Sequence, residues 1–288
     1  MTTIARIGVV GAGLMGSGIA EVCAKAGLDV LVAEADAACL LAGRNRVDRS
    51  LRRGVRHGKL TEEQAQQATD RLRFTTDLDE FTDRQLVVEA VVEHEQVKSE
   101  VLTRLDKVLT DPEAILTTNT SSIPIMKLAM ATDRADKVIG LHFFNPVPVL
   151  PLVEIVASLL TSLDTRTRVE GFVTGTLGKQ VIRSQDRAGF VVNSLLVPYL
   201  LSAIRMVESG FASAADVDTG MVLGCAHPMG PLQLTDLIGL DTTKAIAESM
   251  YAEFKEPLYS PPPLLLRMVD AGLLGKKTGR GFYLYDGS

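Results

Sequence analysis

Residues 4–34, IARIGVVGAGLMGSGIAEVCAKAGLDVLVAE, decide the fold. A short apolar run, Ile4 to Val10, stops at Gly11, Ala12, Gly13, Leu14, Met15 and Gly16, and SGIAEVCAKAG then reads as a helix closing on Gly27. Strand, glycine turn and helix in that order give GxGxxG its meaning. Gly11 permits the tight turn, Gly13 lets backbone N–H groups approach a pyrophosphate, Gly16 allows close helix packing, and the helix dipole attracts the phosphates. The next strand, Asp29 to Ala33, ends in Glu34, where the dinucleotide fingerprint places the acid that binds the ribose 2′-hydroxyl. Ala35 and Asp36 follow. With no basic residue immediately after Glu34, a 2′-phosphate is repelled, so NAD is expected rather than NADP.

Working outward, a second stretch, Ala114 to Glu154, organises the chemistry. Its apolar runs Ala114 to Thr117 and Val138 to Leu141 break off at polar residues: Asn119, Ser121 and Ser122 after the first, His142 and Asn145 after the second. In a parallel sheet those breaks fall at the carboxyl ends of strands, where open α/β folds bind ligands. A third run, Leu152 to Val156, carries one carboxylate, Glu154. An ionised carboxylate inside an apolar strand is costly unless a positive or donating group faces it, and His142 is the nearest candidate in sequence. His142 and Glu154 read as a base and its orienting partner.

Between these stretches, Ala37 to Leu72 is charged and helical in composition, with Arg44, Arg46, Arg49, Ser50, Arg52, Arg53, Arg56, His57 and Lys59 broken by Gly58. Thr61 reads as the cap of a second helix. Such a hairpin is either a solvated charged face or a basic clamp for a polyanion, and composition alone favours the former. Arg71 to Thr75 and Leu86 to Val92 read as further strands, with Glu89, Glu93 and Lys98 clustered around the end of the second. Glu93 and Lys98 are either nicotinamide-ribose contacts or exposed helix-start and helix-face charges. Gly178 to Ser184 supplies one more strand.

After Asp186 the pattern becomes helical. Phe190 to Gly210 is apolar on most sides, with Pro198 inside it, and Asn193, Ser194, Ser202 and Arg205 argue against a membrane span. Ala214 to Gly224, Pro231 to Ile238, Thr242 to Phe254 and Leu264 to Ala271 read as further helices. The expected architecture is α/β: a Rossmann-type, mostly parallel sheet domain with a helical hairpin insertion at 1–186, followed by an all-α domain at 187–288. So much apolar surface on so small a helical domain points to a homodimer.

Bulk properties narrow the function. With 288 residues, 46% of them hydrophobic, the chain can bury a substantial core, and a net charge of −5 gives no basic field for nucleic acid. No apolar run reaches bilayer length and no signal peptide or presequence precedes the first strand, so a soluble cytoplasmic protein is expected. Cys23, Cys39 and Cys225 are odd in number and widely spaced, so neither disulfide nor metal site is expected.

The ordered set VGAGLMGSGIA, EAVVE, TNTSSI, HFFNPV, LVEIV, GFVVN, HPMGPLQLTDLIGLD and GKKTGRGFY resembles the L-3-hydroxyacyl-CoA dehydrogenases, nearest to the bacterial 3-hydroxybutyryl-CoA dehydrogenases. It spans Ile4 to Tyr285 in the family order. The resemblance implies NAD as cofactor and an acyl-CoA substrate. It makes His142 the base that takes the 3-hydroxyl proton, Glu154 the carboxylate that stabilises the imidazolium, Ser121 a ligand of the substrate oxygen and Asn193 a stabiliser of charge at the reacting oxygen. It assigns Glu93, Lys98, Ser121, Asn145 and Lys277 to the cofactor, and Ser50, His57, Lys59 and Ser121 to coenzyme A, which shifts the hairpin from solvated face to clamp. His57, Pro151 and Ala188 depart from the residues that relatives commonly carry.

Two other readings compete. A sugar-acid dehydrogenase of the L-gulonate type shares the scaffold, but the basic hairpin argues against it. A catalytically silent nucleotide-binding protein is opposed by the joint presence of Ser121, His142, Glu154 and Asn193.

Overall fold

The computed structural model describes residues 4–285, so the expected domain limits at 1 and 288 lie outside it. The chain divides into two compact units, Met1–Arg187 and Ala188–Ser288. In the first, strands β1 (Arg6–Val10), β2 (Asp29–Ala33), β3 (Leu72–Thr75), β4 (Leu86–Glu89), β5 (Ile115–Thr118), β6 (Val138–Phe143), β7 (Leu152–Ala157) and β8 (Gln180–Gln185) form one sheet in the order β3-β2-β1-β4-β5-β6-β7-β8. The first six strands of that order are parallel, the Rossmann arrangement, and the apolar runs of all but the edge strand β3 are buried on both faces as such sheets require. β7 runs antiparallel to β6, and β8 is parallel to β7, so the last two strands reverse direction.

That reversal positions the site. Antiparallel register sets residues directly opposite one another, and here it sets His142 against Glu154. Pairing with β7 also extends β6 to Phe143, beyond the apolar run that ends at Leu141. Conversely, β4 stops at Glu89 instead of reaching Val92. The Glu89 carboxylate accepts the Val91 N–H at 2.7 Å, which turns the chain out of the sheet.

Helix α1 (Leu14–Lys25) follows the glycine turn. Gly11 has φ +95°, and a Cβ at Gly16 would lie 1.7 Å from the Gly11 carbonyl oxygen, so turn and helix close together only with glycine at both places. The basic stretch forms α2 (Ala37–Arg56) and α3 (Glu62–Asp70). Thr61 does cap α3: its hydroxyl accepts the Gln64 N–H while the Gln64 side chain accepts the Thr61 N–H. The rest of the unit is α4 (Glu95–Val108), α5 (Ile125–Ala129) and α6 (Leu163–Gly171).

The second unit is helical: α7 (Val192–Glu208), α8 (Ala214–Cys225), α9 (Pro231–Ile238), α10 (Leu240–Phe254) and α11 (Pro263–Asp270). The long apolar helix starts at Val192 rather than Phe190, because Phe190 has φ +47°, outside the right-handed helical region. Val197, Leu201, Ile204, Leu232, Leu240, Met250 and Leu265 build its core. Two buried aspartates hold its ends. Asp218 accepts the Leu232 and Gln233 N–H groups at the start of α9, and Asp236 accepts those of Phe282 and Tyr283 and the Tyr285 hydroxyl, folding the tail back onto α9. No helix among the described residues is long and apolar enough to cross a membrane, and none of their His, Cys, Asp and Glu side chains forms a metal-holding group.

Candidate active site

His142 Nδ1 lies 2.7 Å from Glu154 Oε2, and both side chains are buried, Glu154 completely. Because an ionised carboxylate only accepts, Nδ1 carries the proton and Nε2 presents a lone pair. Ser121 Oγ is 3.1 Å from that Nε2, so its hydroxyl donates to it. The result is a line of polar groups, Ser121 to His142 to Glu154, contributed by the end of β5, the end of β6 and the middle of β7. Phe144 packs edge-on to the imidazole, 4.7 Å between ring centres, and limits its rotation.

The segment that carries Ser121 is held by Glu93. Glu93 Oε1 accepts from the Thr120 hydroxyl at 2.5 Å, the N–H groups of Ser121 and Ser122 at 2.9 and 3.1 Å, and the Ser122 hydroxyl at 2.9 Å. Glu93 Oε2 pairs with Lys98 at 3.3 Å. Lys98 is wholly buried, which overturns the alternative of an exposed helix-face charge. Its ammonium also donates to both oxygens of Glu89, at 2.8 and 3.1 Å, and Glu89 accepts from Thr118. Stripping one partner from such a buried pair costs about 3–5 kcal/mol, so the cluster is a rigid base for the Ser121 segment. Burial raises the Glu93 carboxyl, but the Lys98 charge and the hydrogen bonds from Thr120, Ser122 and Ser121 outweigh it and hold it below the ordinary glutamate range. The stability gained is therefore present above that ordinary range and lost only as pH falls through the lower folded value.

Around the glycine turn, α1 starts at Gly13 with no side-chain cap, and a Cβ on Gly13 would meet no atom within 4 Å. An open space beside uncapped helix N–H groups fits a pyrophosphate. Glu34 Oε1 accepts the Ala12 N–H at 2.5 Å, which brings the carboxylate to the turn from 22 residues away. Asn145 is exposed just beyond β6. On the hairpin, Ser50 lies within α2, His57 follows its last turn with Nδ1 2.8 Å from the Arg53 carbonyl oxygen, and Lys59 is exposed. Between α2 and α3 a groove of ≈ 670 Å³ is lined by Arg49, Arg52, Arg53 and Arg56 together with Asp48 and Glu62.

A dinucleotide turn at one end of the sheet and a histidine–carboxylate pair on β6 and β7 match a known family. The sequence model of the 3-hydroxyacyl-CoA dehydrogenase NAD binding domain matches residues 6–187, and that of the family's C-terminal domain matches residues 189–285. The chain belongs to the 3-hydroxyacyl-CoA dehydrogenase family. It is 64% identical to a 3-hydroxybutyryl-CoA dehydrogenase of Mycobacterium tuberculosis over 98% of this chain and 99% of that protein. Among solved structures, M. tuberculosis FadB2 superposes with a TM-score of 0.98 at 63% identity, over 99% of this chain and 100% of that one. The (S)-3-hydroxybutyryl-CoA dehydrogenase of Ralstonia eutropha gives 0.92 at 44%, over 99% and 100%.

Within this family member the remaining expected site residues belong to the second unit. Asn193 stands in the first turn of α7, and Lys277 Nζ pairs with both oxygens of Asp241 at 2.6 Å. Sequence reading passed over Thr118, Thr120 and Lys179. Lys179 donates to the Val147 and Leu150 carbonyls at 2.8 and 2.7 Å and so ties down the loop between β6 and β7. Its lysine-after-glycine setting in LGKQ gives no hint of a partner 29 or more residues upstream.

Proposed function

We propose that this protein is an NAD-dependent dehydrogenase that interconverts L-3-hydroxybutyryl-CoA and acetoacetyl-CoA. The observation that carries the reading is the buried His142–Glu154 pair with Ser121 on its open nitrogen, on a chain whose family and glycine turn supply a dinucleotide site. In oxidation, His142 Nε2 takes the proton of the 3-hydroxyl group, and Glu154 stabilises the positive imidazole that results. Ser121 turns its hydroxyl from Nε2 to the substrate oxygen and keeps that oxygen in line with the base. Gly11 to Gly16 and Glu34 hold NAD, which when bound accepts the hydrogen of C3 with its electron pair. Asn193, Asn145 and Lys277 are assigned to the reacting oxygen and the cofactor by family resemblance alone. In reduction the same proton returns from His142. The direct test is oxidation of NADH by acetoacetyl-CoA; a protein that binds both and turns over neither overturns the reading.

Two expectations concern the ligands. NADH is preferred to NADPH, because Glu34 binds ribose hydroxyls and repels a 2′-phosphate; equal or higher kcat/KM with NADPH refutes this. The hairpin contributes binding to the coenzyme A portion through Ser50, Lys59 and the neighbouring arginines. Ser50→Ala then raises KM for acetoacetyl-CoA and leaves the N-acetylcysteamine thioester almost unaffected, whereas equal losses with both substrates assign Ser50 to the fold.

The second unit is proposed to form a two-fold dimer. Leu195, Phe211 and Leu223 are 76%, 78% and 80% exposed, more apolar surface than a small soluble unit usually leaves in water. Light scattering at micromolar concentration should give twice the chain mass, and a monomer there refutes the proposal.

A further inference from the structure

Sequence reading favours NAD because no basic residue follows Glu34, yet the fold delivers one. Arg46 Nη1 donates to the Ala12 carbonyl at 3.0 Å, and the N–H of the same Ala12 donates to Glu34 Oε1 at 2.5 Å. Carboxylate and guanidinium thus flank one residue of the dinucleotide turn. Arg46 arrives there because α2 lies directly on the turn: a Cβ on Gly43, three residues earlier on the same helix face, would be 2.3 Å from the Ala12 Cβ. Cys39, in the first turn of α2, senses both groups. Its thiol is raised by the hydrogen bond and charge of Asp36, by burial and by Glu34, while Arg46 opposes them. Among the described residues, Arg46 has no carboxylate partner and its other guanidinium donors are uncommitted.

We propose that Arg46 is a coenzyme-specificity residue that works as a pair with Glu34. The carboxylate holds the ribose hydroxyls and excludes a 2′-phosphate; the guanidinium beside it supplies the phosphate site that opens when the carboxylate is removed. A planar fork of donors suits a phosphate well, and Arg is the residue that accommodates the 2′-phosphate in NADP-binding folds of this type. The inference rests on the dinucleotide reading proposed above and adds the residue that sets the margin between the two coenzymes.

The test needs no turnover. Binding of 5′-AMP and of adenosine 2′,5′-bisphosphate is measured by calorimetry on the unmodified protein, Glu34→Ala, Arg46→Ala, the double variant, and Glu34→Ala with Arg46→Lys. Glu34→Ala should gain affinity for the bisphosphate by about 10- to 100-fold, the worth of a charge-assisted hydrogen bond to phosphate. Adding Arg46→Ala should remove that gain while 5′-AMP binding changes by less than about threefold, and Arg46→Lys should keep part of it. The proposal is overturned if Glu34→Ala gains nothing, if the gain survives Arg46→Ala, or if 5′-AMP affinity falls in parallel, which would make Arg46 a brace for the turn. Failure of the unmodified protein to bind 5′-AMP at all overturns the dinucleotide reading itself, and the proposal with it.

Discussion

His142→Gln lowers kcat by about 10²- to 10⁴-fold, the usual worth of a positioned general base, and leaves NADH binding nearly unchanged. The split follows from geometry. Coenzyme contacts are expected from the glycine turn and Glu34, at the ends of β1 and β2, whereas His142 sits on β6, three strands from β1 in the sheet order. Gln fills much of the imidazole's space and can hydrogen-bond to Ser121, but it cannot take up a proton near neutral pH. Stopped-flow NADH binding and steady-state reduction of acetoacetyl-CoA separate the two effects. A variant with near-native kcat removes His142 from the chemistry.

Glu154→Gln is the second large effect. The carboxylate is fully buried and 2.7 Å from Nδ1; in the proposed mechanism it fixes the tautomer and stabilises the imidazole once that has gained a proton. A neutral amide can still orient the ring through its carbonyl oxygen but loses the charge, and kcat should fall about 10²-fold or more with little change in substrate KM. The His142→Gln, Glu154→Gln double variant should lose about as much as His142→Gln alone, as groups acting as one unit do. Losses that multiply would mean that Glu154 contributes independently of His142.

Much of the site is legible along the chain because its signals are local. A strand, a glycine turn and a helix within 22 residues have one economical packing, and the close approach of Gly16 to Gly11 is written in the glycine spacing. Glu154 inside an apolar strand demands a partner, and His142 is close enough in sequence to be named. Thr61 announces α3 by a cap whose partner is three residues away.

Other features were decided only when the chain folded, because their partners are distant in sequence and their residue types are ambiguous. Nothing in LVEIV tells a strand which way to run, yet the reversal of β7 is what faces Glu154 with His142 instead of staggering them. Glu93 and Lys98 look like surface charges at a helix start. Strand order brings the TNTSSI segment beside them from more than twenty residues downstream, and Glu93, anchored on the buried Lys98, becomes a support for Ser121. Arg46 is one arginine among many in a basic helix until Gly43 lets that helix rest on Ala12. The sequence alone thus determined the glycine turn and pointed to the His142–Glu154 pair, whose signals lie within one short segment or in a carboxylate set inside an apolar strand. The tertiary structure determined which charges support that pair and which border the coenzyme, since burial and proximity are properties of the packed sheet and not of any single segment.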